Sequence, residues 1–421
     1  MSESDAASAL AGKTSTPRRR TSNLSMLSLS SSLGNAALDK PAAVIEIGTK
    51  ILRIGFAGEF EPRSMRRNTR VAAGQEMTQM NERQLCDLFN DIFTNDLLCN
   101  STERRVVIVE SVLYPTKFRQ VICKVLLERL RVPAILFVPG HLTATFPFNT
   151  KDALVVDCGF RETAILPVLD GVTVLSSLEV SNISGRRLEE KVEELLREHG
   201  WTESADGQKK EKLTEADCQL IRKSRILEDI CCRYIFSTSS ERSRALANEQ
   251  TRKALNPPEP KPVRIQVKDR YLVVPGFIRE MACEIVMSRE QENKDESSLP
   301  LLIHRVISKL PIDCRRKMFS NILVVGGLSR IPGFLARLKE ELHNIGSEKE
   351  LKCSDVIKFY QLRENPFAHL FAAWTGASMY SSLQNTVSQQ SLTREKWLET
   401  KRLPDWTDFT DAAALRDDRQ R

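Results

Sequence analysis

The same pattern of apolar strand, acidic residue and glycine occurs twice in this chain. In the first copy Val44 to Gly48 reads VIEIG and precedes the apolar run 51–56, and in the second Val155 to Gly159 reads VVDCG and precedes 163–169. Apolar, β-branched runs joined by a short glycine-containing turn are typical of β-hairpins. A chain of 421 residues exceeds what one hydrophobic core usually serves. The repeat therefore predicts two lobes, each of which opens with the same hairpin.

Short apolar runs alternate with helical patterns over most of the chain. Apolar residues recur on one face at helical spacing in 118–130, and the helical pattern of 186–199 ends at Gly200. The runs predicted as strands are 42–47, 51–56, 105–109, 134–138, 153–157, 163–169, 172–175 and 321–325. This alternation predicts an α/β fold.

Two segments lack the apolar periodicity of a packed core. Residues 1–40 contain ten serines and the run PRRR at 17–20, so we expect a disordered Ser/Arg-rich tail. In the segment 237–268, the sequence NPPEP at 256–260 forbids a helix and its flanks are charged. We expect this second segment to be an exposed excursion from its lobe.

Charge and composition exclude several classes of protein. The net charge is +7, but the chain has no basic stripe with interleaved aromatic residues, so we expect no nucleic-acid binding. No window approaches eighteen uninterrupted apolar residues, so we expect no membrane insertion. The histidines are far apart in sequence and no C-x-x-C occurs, so no local spacing predicts a metal site.

A third glycine-containing segment joins the two hairpins as a candidate binding site. A glycine turn can leave backbone N–H groups bare for phosphate oxygens, and an acid at the strand end can hold Mg²⁺ through water. Ile322 to Gly327 reads ILVVGG, which predicts a buried strand whose paired glycines let a flat ligand approach the backbone. Together the three segments would hold a nucleotide between the lobes. For one hairpin alone, the alternative is that glycine only makes the turn and the acid caps it.

These three segments, in this order, resemble those of the actin family and its relatives, the sugar kinases and the ATPase domains of heat-shock chaperones. The resemblance extends over about residues 42–406. Within the actin family, the chain is most similar to the actin-related proteins in the segments 55–63, 131–134, 183–188, 311–315 and 393–397. It implies an actin-like two-lobed fold of duplicated ribonuclease-H-like domains with a shortened subdomain 2. Subdomains 1 and 2 would comprise 41–150 plus 365–421, and subdomains 3 and 4 would comprise 151–364.

The resemblance also implies which residues would contact a nucleotide. In the first hairpin Glu46 stands where the family has an aspartate, Thr49 keeps a hydroxyl and Arg53 replaces a phosphate-binding lysine. In the second, Phe160 and Arg161 replace an acid and a glycine and obstruct the backbone cradle. The implied nucleotide-binding residues are Glu46, Gly48, Thr49, Arg53, Asp157, Gly159, Gly326 and Gly327. The implied cofactor is ATP or ADP with Mg²⁺, and the replacements leave its binding open.

Further replacements affect the adenine pocket and the hydrolysis apparatus. The family's polar residues around adenine align here with Cys231, Cys232, Ile331 and Pro366. Counting from neighbouring motifs places Lys124 and Ala164 where actins carry the glutamine and histidine that position the attacking water. Neither can orient water in the same way, so we expect no catalytic residue and no enzyme. The alternative for Lys124 is a solvated helical residue paired with Glu128, four positions later.

The resemblance further implies two unequal assembly faces. The segment 58–110 is much shorter than in actin, so we expect the pointed-end loop that inserts into the next subunit to be absent. The expected barbed-side face includes Arg315, Thr393 and Trp397. Thr393 is also a predicted helix N-cap, and Leu392 and Trp397 occupy the positions of a hydrophobic staple.

Three stretches, 104–111, 157–162 and 402–406, resemble most the actin-related subunit at the pointed end of dynactin. The resemblance implies a non-catalytic structural subunit that caps dynactin's actin-like filament, links accessory subunits and supports dynein-driven transport. The implied partners are dynactin's actin-related filament subunits, accessory pointed-end subunits and, indirectly, dynein. The alternative is an actin-family ATPase or a nuclear chromatin-remodelling actin-related protein. An acidic N-terminus without an apolar signal-peptide core predicts a cytoplasmic, cytoskeletal location.

Overall fold

The computed structural model of the protein describes residues 40–69, 75–204, 209–287, 298–348, 356–361, 365, 367–383 and 388–404. The predicted tail, except Lys40, lies outside these residues, as do Pro366 and the end of the motif 402–406. Strands and helices alternate through the described chain, and this confirms the α/β prediction.

The first sheet contains the first predicted hairpin. Its strands are β1 (Ala43–Ile47), β2 (Ile51–Phe56), β3 (Ser64–Arg67), β4 (Val106–Glu110), β5 (Ala134–Pro139) and β15 (Leu392–Thr393), in the order β15-β5-β4-β1-β2-β3. Strands β1, β4 and β5 are parallel, and β2 is antiparallel to β1 with Arg53 directly opposite Glu46. The carboxyl ends of the parallel strands therefore meet at one edge, which the first hairpin turn also borders.

The second sheet contains the second predicted hairpin and the glycine-containing strand. Its strands are β6 (Ala153–Cys158), β7 (Thr163–Leu169), β8 (Val172–Thr173), β9 (Glu179–Ser181) and β14 (Ile322–Gly326). In the antiparallel pair β6 and β7, Asp157 lies opposite Ala164. Strand β14 runs parallel to β6 and brings Gly326 beside Cys158. This sheet therefore places two of the three predicted segments side by side.

A small antiparallel sheet adds to the second half of the chain. Its strands are β10 (Trp201–Ser204), β11 (Lys210–Lys212), β12 (Val263–Val267) and β13 (Arg270–Val274), in the order β11-β10-β13-β12. Strand β12 belongs to the segment 237–268, so the end of that segment is an edge strand of a sheet.

Helices cover the sheets and connect them. They are α1 (Glu82–Asp91), α2 (Thr116–Cys123), α3 (Gly140–Thr143), α4 (Gly185–His199), α5 (Glu215–Lys223), α6 (Ile226–Arg233), α7 (Ser240–Ala247), α8 (Glu249–Lys253), α9 (Gly276–Met281), α10 (Glu284–Met287), α11 (Leu299–Lys309), α12 (Ile312–Phe319), α13 (Phe334–Glu348), α14 (Ala368–Ser381) and α15 (Arg394–Thr400). Both predicted helices are confirmed, and α2 continues as a π-helical stretch, Lys124–Arg129. Across the described ranges, we find no helix with the length and apolar character needed to span a membrane.

Each half has its own large core, and one helix packs between the two sheets. The core of the first half includes Ile45 and Phe89, and that of the second includes Val192 and Phe334. Helix α14 lies against both sheets, because its apolar residues pack on β1 and β4 and also on β6 and β14. The Trp374 indole N–H donates to a carbonyl of β1 at 3.0 Å.

The segment 237–268 has a packed first part, which includes α7, and a mostly exposed second part from Asn248 onwards. Leu246 on α7 is fully buried in the core of the second half. Arg242 on the same helix forms an ion pair with the buried Glu280 on α9, with a shortest distance of 2.5 Å between Nε and Oε2. The prolines do prevent a helix across 256–260, and Arg242 binds a buried acid, whereas the charged residues Glu241, Arg244, Lys253, Glu259, Lys261 and Lys268 are exposed.

Candidate functional site

The two predicted hairpins approach each other at their turns. The first turn contains Gly48, Thr49 and Lys50, and the second contains Gly159 and Phe160. The Lys50 ammonium lies 3.8 Å from the centre of the Phe160 ring, a distance at which a cation is attracted to an aromatic face. The structure therefore brings together the two turns that the sequence predicts to face each other.

The amides of the two turn glycines are bonded within their own hairpins. The Gly48 N–H donates to the Ile51 carbonyl and the Gly159 N–H to the Glu162 carbonyl, each at 3.1 Å. A Cβ at Gly48 would lie 2.5 Å from the Ile51 oxygen, and one at Gly159 would lie 2.9 Å from the Glu162 oxygen. The amides of Gly48 and Gly159 are therefore not themselves bare, and the visible role of these glycines is to make tight turns. Their contact with a nucleotide stays a prediction.

The carboxylates of Glu46 and Asp157 and the guanidinium of Arg53 lie on the strands of the two hairpins. Arg53 Nη1 forms an ion pair with Glu46 Oε1 across the two strands of the first hairpin. Burial raises the pKa of Glu46, Arg53 opposes that rise, and the charge of nearby Asp157 adds to it. The family's phosphate-binding lysine is thus replaced by an arginine that already neutralises a protein carboxylate.

Another acid, Glu110, is the last residue of the neighbouring strand β4. Burial raises the pKa of Glu110 to about 7, although Arg119 Nε lies 2.7 Å from Glu110 Oε2 and opposes the rise. The buried Tyr114 hydroxyl donates to the Ile47 carbonyl at 2.7 Å. Burial, followed by the charges of Glu46 and Glu110, raises the pKa of Tyr114. This wall of the site is therefore acidic.

Cations of the first half reach across to acids of the second. Lys50 forms an ion pair with Glu189 on α4, and its Nζ also lies 3.4 Å from Glu228 Oε2 on α6. Arg67, the last residue of β3, places Nη1 2.6 Å from the same Glu228 oxygen. These contacts connect the two halves directly.

In a second connection between the halves, the cation belongs to the second half and the acid to the first. Arg161, in the turn of the second hairpin, forms an ion pair with Glu76 of the first half. Phosphate oxygens need cations or free N–H donors, but Lys50, Arg53 and Arg161 all bind protein carboxylates. The arrangement does not fit a nucleotide's phosphate chain. In the part of the chain that the structure describes, no three His, Cys, Asp or Glu side chains are placed to hold a metal ion.

The paired glycines after β14 differ sharply in their surroundings. Gly326 has φ +87 and ψ 179, and a Cβ there would lie 2.3 Å from the Cys158 carbonyl oxygen. A Cβ on Gly327 would meet no atom within 4 Å. Gly326 is therefore required by the protein's own backbone, and only Gly327 borders open space.

The positions aligned with the family's adenine pocket are mostly apolar here. Ile331 is buried in the core of the second half, and Cys231 is half-buried against it. Burial raises the pKa of the Cys231 thiol, whereas Cys232 is exposed. Pro366 lies outside the described residues. Ile331 and Cys231 offer an apolar surface in place of the family's polar groups.

The structure corrects the prediction for Lys124. Its Nζ lies 2.7 Å from Glu82 Oε2 at the start of α1, and not beside either hairpin. Glu128, the predicted partner, instead accepts hydrogen bonds from Trp397 and Lys401. Lys124 therefore pairs with Glu82, which is distant in sequence, and not with Glu128, which helical spacing predicts. Ala164, in contrast, does lie in the site, directly opposite Asp157.

His141 is a residue of the site that the sequence predictions missed. It follows β5 directly, is buried, and is hydrogen-bonded to the backbone of Ala164. Burial lowers the pKa of His141 more than the charge of Asp157 raises it. Its Nε2 has no hydrogen-bond partner among the described residues. Its position at the carboxyl end of a predicted parallel strand is the signal that could have found it.

The predicted assembly residues divide into buried and exposed positions. Trp397 is only 4% exposed and belongs to the core of the first half. Arg315 donates to the carbonyls of Leu310 and Ser308, so it stabilises its own loop. Thr393 is exposed and caps α15 by accepting a hydrogen bond from the Lys396 N–H at 3.3 Å, as predicted.

A neighbouring side chain is the better candidate for an assembly contact. Ile312 begins α12 within the motif 311–315 and is 80% exposed. Covering this side chain with a partner would remove its apolar surface from water. The sequence predictions missed it because exposure at a helix start cannot be read from a short motif.

Comparison with known proteins agrees with the motif-based resemblance. The Actin family model matches residues 79–402. The chain is 24% identical to Actin-related protein 10 of Dictyostelium discoideum, over 88% of this chain and 90% of that protein. It is also 24% identical to Centractin of Schizosaccharomyces pombe, over 70% of this chain and 69% of the other. Actin-related protein 2 of Arabidopsis thaliana is 22% identical, over 74% of this chain and 75% of its own length. Since the matched region covers most of the chain, this protein belongs to the actin family.

Proposed function

We propose that this chain is a non-catalytic structural subunit of the dynactin complex. It caps the pointed end of the actin-like filament, links accessory subunits there and supports dynein-driven transport in the cytoplasm. Its similarity to Actin-related protein 10 and Centractin supports a place among actin-related filament subunits. The fold alone would not support a function, because one fold serves many.

The observation that carries the proposal is the difference between the two predicted assembly faces. On the barbed side, Ile312 presents an exposed apolar side chain. On the pointed side, the described residues of 58–110 fold into β3, α1 and a π-helical stretch, and α1 buries its apolar face in the core. Only residues 70–74 of this segment lie outside the described chain. A filament built from head-to-tail contacts stops growing when its last subunit lacks one of the two surfaces.

The lack of catalysis rests on Ala164 and Phe160. A methyl group cannot position water, and the Phe160 ring packs under Lys50 where the family has an acid. Positioning of the reacting groups contributes several kcal/mol to catalysis in general, on the order of 7 kcal/mol in favourable cases. Lys124 no longer supports this argument, because it lies beside α1.

Affinity purification from cells tests the proposal. Tagged wild-type protein should recover dynactin subunits by mass spectrometry, and Ile312→Asp should recover far less of them. Val172→Asp is the matched control, because Val172 is also an exposed apolar residue of the second half and lies in neither predicted face. Equal recovery by all three proteins would refute the assembly face. Recovery of chromatin remodellers, or an internal filament position in electron micrographs, would refute the capping role.

An actin-family ATPase is the second candidate, and His141 is the observation that favours it. A buried imidazole with an unpartnered nitrogen near Asp157 could orient water in place of the missing family histidine. Phosphate release from radiolabelled ATP in a single-turnover assay separates the two candidates. Release by wild-type protein that is lost in His141→Ala would establish the ATPase, and no release by either would exclude it.

A further inference from the structure

Four charged side chains form a continuous network across the cleft, which we call the cleft clasp. Lys50 and Arg67 come from the first half, and Glu189 and Glu228 come from helices α4 and α6 of the second half. Glu228 is shared by both cations. Each side chain therefore contacts the opposite half, and none pairs only with a neighbour in sequence.

The clasp lies partly shielded from water. The side chains of Lys50, Glu189 and Glu228 are a quarter exposed or less, so their attraction is screened less than that of surface pairs. Burial alone would raise the pKa of Glu228, but bonding to Arg67 and the charge of Lys50 bring it below its ordinary value. Burial does raise the pKa of Glu189, which Lys50 opposes. The two cations therefore stabilise the ionised form of Glu228 more than burial destabilises it.

The clasp is continuous with the contact between the two hairpin turns. Lys50 lies over Phe160, and the next residue, Arg161, is bound to Glu76 of the other half. A phosphate group entering between the turns would have to displace Lys50 from both Glu189 and Phe160. The protein therefore supplies its own anions at the place where the resemblance implies a nucleotide.

We propose that the cleft clasp holds the two halves together in place of a nucleotide. The folded protein then requires neither ATP, ADP nor Mg²⁺ to keep its cleft closed. This inference is independent of the dynactin role, because it concerns only how the two halves of one chain are joined.

Two measurements on the purified wild-type protein test the clasp. The nucleotide released by acid precipitation should be far below one molecule per chain. The thermal midpoint should move by no more than about 1 °C in excess Mg-ATP, Mg-ADP or EDTA, because a ligand that binds only the folded state would raise it. One tightly bound nucleotide per chain, with a midpoint that falls when EDTA removes it, would overturn the proposal.

Isosteric variants test the network itself. The double variant Glu189→Gln and Glu228→Gln should lower the thermal midpoint by several degrees at low salt, and the difference should shrink at high salt. Glu190→Gln is the matched control, since Glu190 lies next to Glu189 on α4 and its ion pairs with Arg186 and Arg187 are exposed. A double variant that behaves like the control would overturn the proposal. Faster proteolysis of the folded double variant at low salt would support it even where the midpoint is masked by aggregation.

Discussion

The indole N–H of Trp397 donates a hydrogen bond to Glu128 Oε1 at 2.9 Å, and the ammonium of Lys401 lies 2.6 Å from the same oxygen. Helix α15 is therefore bound to the π-helical stretch that precedes β5 by a polar contact as well as by apolar packing. Hydrogen bonding by Lys401 lowers the pKa of Glu128, in spite of partial burial. The terminal helix belongs to the core of the first half and is not a detachable surface element.

Two substitutions at Trp397 separate the hydrogen bond from the packing. Trp397→Phe should cost about 1 kcal/mol in unfolding free energy, because it removes the donor and keeps most of the ring. Trp397→Asp should cost about 3–5 kcal/mol, because it empties a core position. Urea denaturation measures both. Leu398→Asp, at the more exposed neighbouring position, should change little. Equal stability of the Asp variant at Trp397 and the wild-type protein would contradict the packing argument.

The adjacent glycines after β14 should respond very differently to alanine. Gly326 adopts backbone angles that are nearly exclusive to glycine, and its Cβ would collide with the Cys158 carbonyl. Gly326→Ala should therefore cost at least about 3 kcal/mol. Gly327→Ala should stay within about 0.5 kcal/mol of wild type, because its Cβ would meet open space. Thermal and urea unfolding of the pair checks this, and a reversed order would contradict the backbone geometry.

Glu110 should make stability depend on pH between its unfolded and folded pKa values. Burial raises the pKa to about 7 from a value of 4.5, so the folded state binds more protons than the unfolded state in this range. Stability from this group is thus largest below pH 4.5 and is lost as pH rises through about 7. The full difference is on the order of 3 kcal/mol.

The variant Glu110→Gln should lack this dependence. The difference in unfolding free energy between wild type and Glu110→Gln should fall as the pH rises from about 5 to about 8. Urea denaturation at several pH values measures it, with Glu395→Gln on the exposed face of α15 as the control. A difference that is constant with pH would show that Glu110 titrates normally.

The ion pair between Arg242 and Glu280 should anchor the segment 237–268. Because Glu280 is almost fully buried, Glu280→Ala leaves Arg242 without a carboxylate, bonded to the carbonyls of Pro257 and Pro258, and should cost about 3 kcal/mol. Glu241 is exposed and lies beside Arg242 on α7, so Glu241→Ala should cost little. Urea unfolding compares the two, and hydrogen exchange across α7 shows where protection is lost. An equal effect of the two substitutions would show that this ion pair does not anchor α7.

Much of the fold follows from local patterns in the sequence. The hairpin repeat predicts two strand pairs, and the structure contains both, β1 with β2 and β6 with β7. Thr393 as a helix cap was also predictable, since capping depends on neighbours only three residues away. What these features share is that their partners lie close in sequence.

The features of the site that the sequence did not predict depend on distant partners. Lys50 contacts Glu189 and Glu228, and nothing in the local sequence distinguishes these two acids from the exposed ones on the same helices. Burial of His141 likewise requires knowing that β5 ends near β6 and β7. The acids of the cleft clasp become identifiable only when the two halves are placed against each other.

Helix α14 has a consequence for how the molecule unfolds. Trp374 fastens it to β1, and the His369 ring nitrogen Nδ1 lies 2.9 Å from the carbonyl oxygen of Val324 in β14. Because the same helix completes both cores, neither half can melt without exposing apolar surface of the other. We therefore expect the two halves to unfold together despite the duplicated architecture, and a fragment cut between the halves would lack one wall of its interior.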